Sequence, residues 1–386
     1  MILTLVNFFG NPAVGTRISD ETSRCTVRLL YKKNGQICNF PEEDIISFEL
    51  TSYRAVEGGI ITRGKIELDD IDGLYTDGSN PVFIKGLAVQ IWFCFGSDNE
   101  EMFKRCVLYV GEKGFESLQD GNGKKLCTAE LVDYSFFLGR MSVCKEWDKP
   151  LVLTHCKICD RNDTENSVVH ILAKSNGVKV VLADNIDLSI AYCECEKSLW
   201  KELSELALIY RVHLECDEKG IIFVESEYGE KAVSSAPQYS LFDDVITHLH
   251  SFCEYENYAN DVLVKYKRKK CEGENEIRRV FSCSETEIEK YGRVTARKSG
   301  NFISDSKING MDFEKLYCDR WLEELSCKKR VYYITTFIAL VNARVDAFMN
   351  IRVGAGRKNV CARIDELTLC FKKNAAFETR LWLRGD

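Results

Sequence analysis

The fold is decided by a run of strand signals in which residues 45–70 read IISFELTSYRAVEGGIITRGKIELDD and residues 129–139 read AELVDYSFFLG. Ile46, Phe48 and Leu50 alternate with polar residues, and this two-residue period is typical of a strand with one buried face. About six such segments, separated by Gly-rich and Asp-rich turns, predict the antiparallel strands of a barrel or sandwich. Nothing in the run is placed for bond-making chemistry, so its information is architectural.

Length and composition limit the class of protein. The chain has 386 residues, and this length predicts two or three domains rather than one core. A hydrophobic content of 45% with 29% charged residues is typical of a soluble globular protein. The net charge of -7 argues against a protein whose main task is to hold nucleic acid. No apolar run reaches the roughly 20 residues that span a bilayer, so we expect no stable membrane insertion.

The 18 cysteines are scattered rather than arranged in a compact framework. Cys94, Cys106, Cys127 and Cys370 each lie in a strand-like run, where a thiol behaves as a small buried hydrophobe. We therefore expect reduced thiols in a protein made in a cytoplasm, rather than disulfides.

The pattern of helix and strand signals changes twice along the chain. Residues 1–140 and 241–386 are strand-rich, and residues 141–240 mix helix and strand signals. The predicted fold class is mainly β with an α+β insertion, in which two tube-like antiparallel β-barrel domains flank a small α+β domain. Hairpin turns are predicted at Asn34-Gly35, at residues 96–99 and at residues 120–123.

Three helices are predicted. Asp163 and Thr164 form a candidate N-cap for a helix that Gly177 ends. Residues 197–210 carry an apolar stripe, with Glu202 and Glu205 expected on the exposed side. Residues 312–326 form a second amphipathic segment.

The strongest chemical motif is His155 followed by Cys156 and Cys159, which have the spacing of zinc ligands or of a redox pair. A structural zinc site needs four ligands, and the nearest second pair, Cys193 and Cys195, lies well downstream with one intervening residue. Incidental cysteines are the favoured interpretation. We expect no metal and no cofactor, and we keep Cys156 and Cys159 as the only metal candidates.

Other motifs have structural explanations. Asp70 and Asp72 resemble part of a calcium loop, but the acidic residue expected at its end is missing, so an Asp-rich turn is favoured. The basic run at residues 265–270 could contact phosphates, although a solvated strand end explains it better. Residues 354–358 resemble a phosphate loop without the helix that should follow, and a hairpin turn explains them. His170, His213, His248 and His250 have no neighbouring nucleophile motif, so structural or surface roles are favoured.

A series of segments along the chain has a distinctive order and spacing. These segments are residues 44–50, 64–73, 86–91, 106–111 and 128–134, then 167–173, 177–180, 199–203 and 218–223, and finally 291–293 and 379–383. In this order and spacing the chain resembles the tail hub proteins of bacteriophages and related injection machines. This family includes contractile baseplate hubs, the N-terminal part of siphophage tail-associated proteins, and the base of type VI secretion spikes. Tyr109 stands where the family often has Phe.

The resemblance implies a structural, non-enzymatic protein of a virion tail. Two tube-like barrels per chain would place three chains in a ring of pseudo-sixfold symmetry around a channel. The implied partners are two further copies of the chain, tail tube or distal tail proteins, a central spike or tip protein, and a tape measure protein. DNA would pass through the channel without specific binding.

Two alternatives stay open beside the structural hub. One is a zinc- or thiol-dependent enzyme centred on His155, Cys156 and Cys159. The other is a hub with its own peptidoglycan hydrolase, which is not expected because the second strand-rich block extends to Asp386.

Overall fold

The structure is a computed structural model, and it describes most of the chain. The described residues are 2–3, 16–17, 25–55, 58–76, 85–95, 101–119, 123–144, 149–183, 186–210, 212–217, 220–225, 239–241, 245–253, 258–268, 276–300, 302–303, 307–308, 311–326, 330–353 and 358–385. The turns predicted at residues 96–99 and most of those at 120–123 and 354–358 lie outside these ranges.

Strands dominate the described residues. They are β1 (Ile2–Leu3), β2 (Thr16–Arg17), β3 (Cys25–Lys33), β4 (Gln36–Asn39), β5 (Ile45–Arg54), β6 (Ile60–Asp69), β7 (Ala88–Phe95), β8 (Glu101–Gln119), β9 (Lys125–Val132), β10 (Leu151–Cys159), β11 (Val180–Ala183), β12 (Ile186–Cys195), β13 (Val212–Asp217), β14 (Gly220–Glu225), β15 (Tyr239–Leu241), β16 (Ile246–Cys253), β17 (Asp261–Arg268), β18 (Glu276–Cys283), β19 (Thr295–Gly300), β20 (Phe302–Ile303), β21 (Lys307–Ile308), β22 (Met311–Asp312), β23 (Arg330–Thr336), β24 (Phe348–Val353), β25 (Lys358–Lys372) and β26 (Glu378–Gly385). The helices are α1 (Ser135–Leu138), α2 (Val168–Ser175), α3 (Leu199–Tyr210), α4 (Glu285–Tyr291) and α5 (Phe313–Leu325).

The alternation in β5 produces a two-faced strand, as the sequence predicts. Phe48 and Leu50 are 1% exposed, whereas Glu49 between them is exposed. Burying each large apolar side chain contributes about 1.5–3 kcal/mol. Ile45, rather than the predicted Ile46, is fully buried at the start of the strand, because the pairing with β6 shifts by one residue there. Such an irregularity reverses the face that each residue presents.

Local turn chemistry sets two of the connections. Asn34 and Gly35 have φ angles of 50° and 84° and join β3 to β4 as the predicted tight hairpin. After β6, the carboxylate of Asp70 accepts hydrogen bonds from the backbone N–H of Tyr75 (2.9 Å) and from the Thr76 hydroxyl. The predicted Asp-rich turn is therefore confirmed, and its carboxylate bonds the turn itself.

The largest sheet joins the two strand-rich blocks of the chain. Its strands follow the order β16-β23-β26-β25-β5-β6-β9-β8-β7-β3-β4, with β24 pairing β25 and β15 pairing β24. All of these pairs are antiparallel except β15 with β24. The two blocks meet where β25 pairs β5, with Leu369 opposite Leu50.

One hydrophobic core lies on a single side of this sheet. It draws Leu29 and Phe48 from the first block, and Ile334, Leu369 and Leu383 from the second. All of these are at most 1% exposed. The two blocks therefore share a core as well as a sheet.

A second core holds the α+β part of the chain. It contains residues of α2, α3, β10 and β13, and also Val262 and Val264 of β17 and Cys318 of α5. Two small sheets belong to this part, in the orders β10-β12-β20 and β11-β14-β13. A third sheet, β18-β17-β19, is covered on one face by α5.

The three predicted helices are present as α2, α3 and α5, but two details were wrong. Asp163 caps a single 3-10 turn at Thr164–Asn166, and α2 begins only after Ser167. Glu202 is fully buried rather than exposed. Its Oε1 accepts hydrogen bonds from the backbone N–H groups of Glu196 (2.9 Å) and Lys197 (2.8 Å), so it satisfies donors of the segment that leads from β12 into α3.

The predicted fold class, mainly β with an α+β part, is confirmed. The division into units 1–140, 141–240 and 241–386 stays a prediction. Within the described residues, no helix has the length and apolar character needed to cross a membrane.

Candidate functional site

The candidate functional surface is the face of the large sheet that points away from its core. In β5 this face carries Glu49 and Thr51, and in β6 it carries Arg63 and Lys65. Glu49 is opposite Lys65, and Thr51 is opposite Arg63. Because side chains alternate along every strand, the same face continues through β9, β25 and β26.

Register aligns these polar side chains in rows across the strands. One row runs Glu378, Cys370, Glu49, Lys65 and Glu130, and the next runs Thr335, Arg380, Thr368, Thr51 and Arg63. Both rows cross from the second strand-rich block into the first. The sheet therefore presents one polar face made by both ends of the chain.

Side-chain contacts bridge the two blocks on this face. The hydroxyls of Thr51 and Thr368 are 3.0 Å apart, and Nη1 of Arg380 lies 3.8 Å from Oε2 of Glu49. The Cys370 thiol also donates to Oε2 of Glu49, at 3.9 Å. Burial, reinforced by Glu49 and Glu378 although partly opposed by Arg380, raises the pKa of that thiol to about 12, so it is a protonated donor near neutral pH.

Aromatic side chains cover the end of the face at β16. Trp382 makes edge-on contacts with Phe252 and Tyr333, at ring-centroid distances of 5.5 and 6.0 Å. His248 contacts Tyr333 and His250 contacts Phe252, and both histidines are exposed. The histidines predicted to have surface roles therefore lie on the edge strand of this face.

Beneath the junction of the sheet and the α+β part lies a largely buried charge cluster, formed by Arg54, His213, Glu215, Arg344 and Asp346, in which the Arg344 side chain is the most exposed at 40%. Nε of Arg54 donates to Oδ1 of Asp346 at 2.8 Å. The two ring nitrogens of His213 lie 3.3 Å from Asp346 and 3.3 Å from Glu215. Nη1 of Arg344 lies 3.3 Å from Oε1 of Glu215. The cluster links β5, β13 and the loop before β24.

The cluster shifts the proton affinities of its members. Burial alone would lower the pKa of His213, but hydrogen bonds to Asp346 and Glu215 outweigh burial and raise it to about 9. Burial would raise the pKa of Asp346, yet Arg54 and His213 hold it below its usual range. Burial also opposes the ionisation of Glu215, and His213 and Arg344 again lower its pKa. The cluster is therefore fully ionised near neutral pH.

A cavity of about 220 Å³ adjoins the cluster. Its lining includes Ser52, Thr62, Lys104, Arg105, Cys106, Asp133, Glu215, Cys216, Asp217 and Arg344. Burial raises the pKa of Asp133 to about 6, and hydrogen bonds from Ser135 and from the Thr62 backbone N–H (2.5 Å) partly offset that effect. The lining contains the cations Lys104, Arg105 and Arg344 and the carboxylates Asp133, Glu215 and Asp217, so the cavity does not favour one sign of ligand charge.

The candidate metal residues lie in the second core. Cys156 and Cys159 are buried on β10, and the second pair belongs to the neighbouring strand β12. Cys156 is opposite Ile190, whereas Cys193 is opposite Leu153, so the register offsets the pairs by about 10 Å. Within the described residues no group of three His, Cys, Asp or Glu side chains could hold a metal. The assignment of these cysteines stays a prediction.

The cysteines predicted to lie in strands do so. Cys94 and Cys127 are fully buried in β7 and β9, and Cys106 and Cys370 are half-buried in β8 and β25. Burial, only partly opposed by Arg28, raises the pKa of the Cys94 thiol. These thiols therefore act as packing groups rather than as nucleophiles.

The buried charge cluster was missed by sequence reasoning. The sequence favours a structural or surface role for His213, and the buried position of His213 is a structural one, but its charged partners Asp346 and Glu215 were not predicted. The only local signal was the pair His213 and Glu215, which share one face of a strand because they are two residues apart.

Comparisons with known proteins bear on the fold. No protein-family model matches the chain, and no curated protein sequence is significantly similar to it. Its structure is similar to a tail protein from Neisseria meningitidis, with a TM-score of 0.61, 12% identity, and 94% of this chain and 97% of that chain covered. It is similar to a 43 kDa prophage tail protein from Shewanella oneidensis, with a TM-score of 0.59, 11% identity, and 92% and 98% covered. It is also similar to a prophage tail protein from Listeria monocytogenes, with a TM-score of 0.51, 10% identity, and 94% of both chains covered. The predicted resemblance to phage tail proteins is thus confirmed at the level of fold.

Proposed function

We propose that the chain is a structural tail hub of a phage or a phage-like injection particle. Three copies form a ring that joins the tail tube to the central spike or tip and surrounds a channel. The observation that carries this proposal is the continuous sheet that both strand-rich blocks build, with one polar face. The similarity to tail proteins over nearly the whole length of each chain supports it.

The polar face is the surface that we assign to the channel. It carries the exposed carboxylates of Glu49, Glu130 and Glu366 among hydroxyls and the exposed cations Arg63, Lys65 and Lys372. Carboxylates repel the phosphates of DNA, and interspersed charges of both signs give no continuous basic track. Such a wall lets DNA pass without specific binding.

The number of strand-rich blocks supports a threefold ring. Each chain contributes two blocks joined through β5 and β25, so three chains supply six similar positions. That arrangement adapts a sixfold tube on one side to a threefold spike on the other. Tail tube or distal tail proteins, the spike or tip protein and the tape measure protein are the partners, and the virion tail is the location.

The role is structural rather than catalytic in this proposal. A ring component works through interface area and the shape of its channel, and it needs no cleft with a nucleophile or a metal. The division of the chain into two tube-like units and an α+β unit belongs to the same proposal.

Imaging of the intact particle tests the proposal. Electron cryomicroscopy of particles that contain the chain should show a threefold ring of this fold at the end of the tail tube. The residues of β5 and β25 on the polar face should line its channel. A location in the capsid, or a ring whose channel is lined by other surfaces, would contradict the assignment.

A further inference from the structure

The sheet β18-β17-β19 has one covered face and one open face. On the covered face, Val262 and Val264 are at most 3% exposed and pack in the core with α5. The Cys318 thiol of α5 donates to the carbonyl of Val280 at 3.4 Å, and the Lys298 ammonium lies 6.0 Å from the Trp321 ring. The other face carries the exposed side chains of Phe281, Lys265 and Arg279.

The open face has an apolar centre. Phe281 of β18 is 65% exposed, and it is directly opposite the half-buried Leu263 of β17. Most of the apolar area of the Phe281 ring is in water, so a partner that covered it would gain favourable apolar burial.

Cations surround this centre. Lys265 is directly opposite Arg279, and Leu263 is opposite Arg297 on its other side. All three cations are exposed, and no carboxylate in the described part of the chain forms an ion pair with them. At the end of the face, Arg293 is 63% exposed and lies 3.8 Å from Asp261, whose Oδ2 also accepts from the Thr295 hydroxyl.

The register makes this arrangement costly in the isolated chain. Like charges directly opposite in an antiparallel pair destabilise a sheet, and Lys265 and Arg279 form such a pair. A partner that brings carboxylates would remove the repulsion and cover Phe281 in the same step. Aromatic and arginine side chains at the centre of a surface are typical of protein contacts.

The charge of the chain identifies the partner. Residues 261–300 hold 11 of its 52 basic residues but only 7 of its 59 acidic residues, so this basic face belongs to a chain that is otherwise acidic. A neighbouring copy therefore offers the complementary charge. We propose that the open face of β17, β18 and β19, centred on Phe281, binds an acidic surface of a second copy of this chain.

The contact is head-to-tail, because a basic face on one copy meets a different, acidic face on the next. Repeated contacts of this kind close into a ring when the rotation between copies fits. The inference thus rests on the proposed ring and names one of its interfaces.

Sedimentation velocity of the full chain at low and high salt tests the contact. Phe281→Ser removes the apolar anchor from an exposed position, and the double variant Lys265→Glu/Arg279→Glu reverses the cations. We expect each change to weaken self-association about tenfold or more, with less salt dependence in the double variant. The control Lys174→Glu/Lys179→Glu makes the same change in net charge at exposed positions elsewhere and should associate as the unaltered chain does. Thermal melting verifies that all variants are folded.

The outcomes separate this inference from the proposed ring. If the unaltered chain associates and the variants associate equally well, this face is not the contact, although the ring stands. If the unaltered chain stays monomeric at every concentration, both proposals fail. A fluorescent single-stranded oligothymidylate is the second probe. Tight binding that the double variant loses would overturn the inference in favour of a nucleic-acid surface.

Discussion

Asp346 shows how single residues hold this molecule together. Its φ of 72° lies in the left-handed region, which a non-glycine residue adopts only where its surroundings favour it. Here its carboxylate is aimed at Arg54 and His213, which are 292 and 133 residues away in the sequence. No local sequence pattern indicates contacts between residues so far apart in the chain, so the cluster could not be predicted from the sequence.

Removing the Arg54 guanidinium should show how much an unpaired buried carboxylate destabilises the fold. In Arg54→Met, Asp346 loses its main cation while staying 4% exposed at its side chain. Breaking a buried pair from one side typically costs 3–5 kcal/mol, so we expect roughly that loss in the free energy of unfolding by urea. Arg28→Met is the matched control, since Arg28 pairs with Glu42 at an exposed site and should change stability by less than about 1 kcal/mol. Equal effects of the two substitutions would contradict the account.

His213 should make stability depend on pH. Its pKa rises from about 6.5 in an unfolded chain to about 9 in the folded one. The folded state therefore holds the proton more tightly, so the stabilisation is fully present below about pH 6.5 and is lost as the pH rises through 9.

Cysteine thiols also make stability depend on pH above neutrality, but they do so equally in His213→Gln and in the unaltered chain. The difference between the two proteins therefore isolates the contribution of His213. The difference in unfolding free energy between them should shrink by on the order of 2–3 kcal/mol between pH 6 and pH 9.5. His248→Gln, at an exposed site, is the control for the substitution itself and should change the free energy of unfolding by less than about 0.5 kcal/mol. A difference that stays constant with pH would show that His213 is not charged in the fold.

At the scale of elements, close approach decides where the α+β part sits on the sheet. Gly59 precedes β6 with φ of 79°, and a Cβ atom there would lie 2.8 Å from the Trp200 ring of α3 and 3.3 Å from Leu214 of β13. Glycine at position 59 therefore has two roles: it adopts the positive φ angle, and it leaves room for Trp200 and Leu214 to pack closely.

Two alanine substitutions separate these roles. Gly35→Ala carries the same kind of strain, with φ of 84°, but meets no atom within 4 Å. It should cost about 1 kcal/mol, from backbone conformation alone. Gly59→Ala should cost about 1–3 kcal/mol more, because Trp200 must move. Urea unfolding measures the loss of stability in both variants. Equal losses would mean that α3 moves away from the new Cβ atom at no cost in free energy.

The pairing of β5 with β25 should couple the stability of the two strand-rich blocks. Leu50→Ala removes a buried side chain opposite Leu369, and we expect a loss of 2–5 kcal/mol. Hydrogen exchange should rise in β25 and β26 as well as in β5 and β6. Leu214→Ala in the second core is the control, and its effect should centre on β13 and α3. Exchange confined to β5 and β6 after Leu50→Ala would show that the blocks are independent.

Sequence periodicity predicted where individual strands and helices lie better than it predicted how they pair and pack. The alternation of Phe48 and Leu50 located β5, and the apolar stripe of residues 199–210 located α3, because both signals are local. The burial of Glu202 depended on backbone donors in the segment before its own helix, and the burial of Ile45 depended on a register shift against β6. Both are tertiary effects that override a local pattern.

For the whole molecule, the informative finding is that distant ends of the chain build one sheet. Residues 47–53 pair with residues 366–372, so the first and last strand-rich blocks share hydrogen bonds and a core. The sequence predicted two strand-rich, tube-like blocks, but it contained no information on which strands of the two blocks pair with each other. The polar residues of the face were visible in the sequence, but their alignment in rows follows from register alone.

The mass of the purified chain in solution tests the central claim most directly. Light scattering coupled to size exclusion should give three times the chain mass of 44.1 kDa at a concentration where the ring is complete. The trimer should dissociate on dilution to the mass of one chain, without stable intermediates of other symmetry. A compact particle of 44.1 kDa at every concentration, with no association with tail components, would contradict the account.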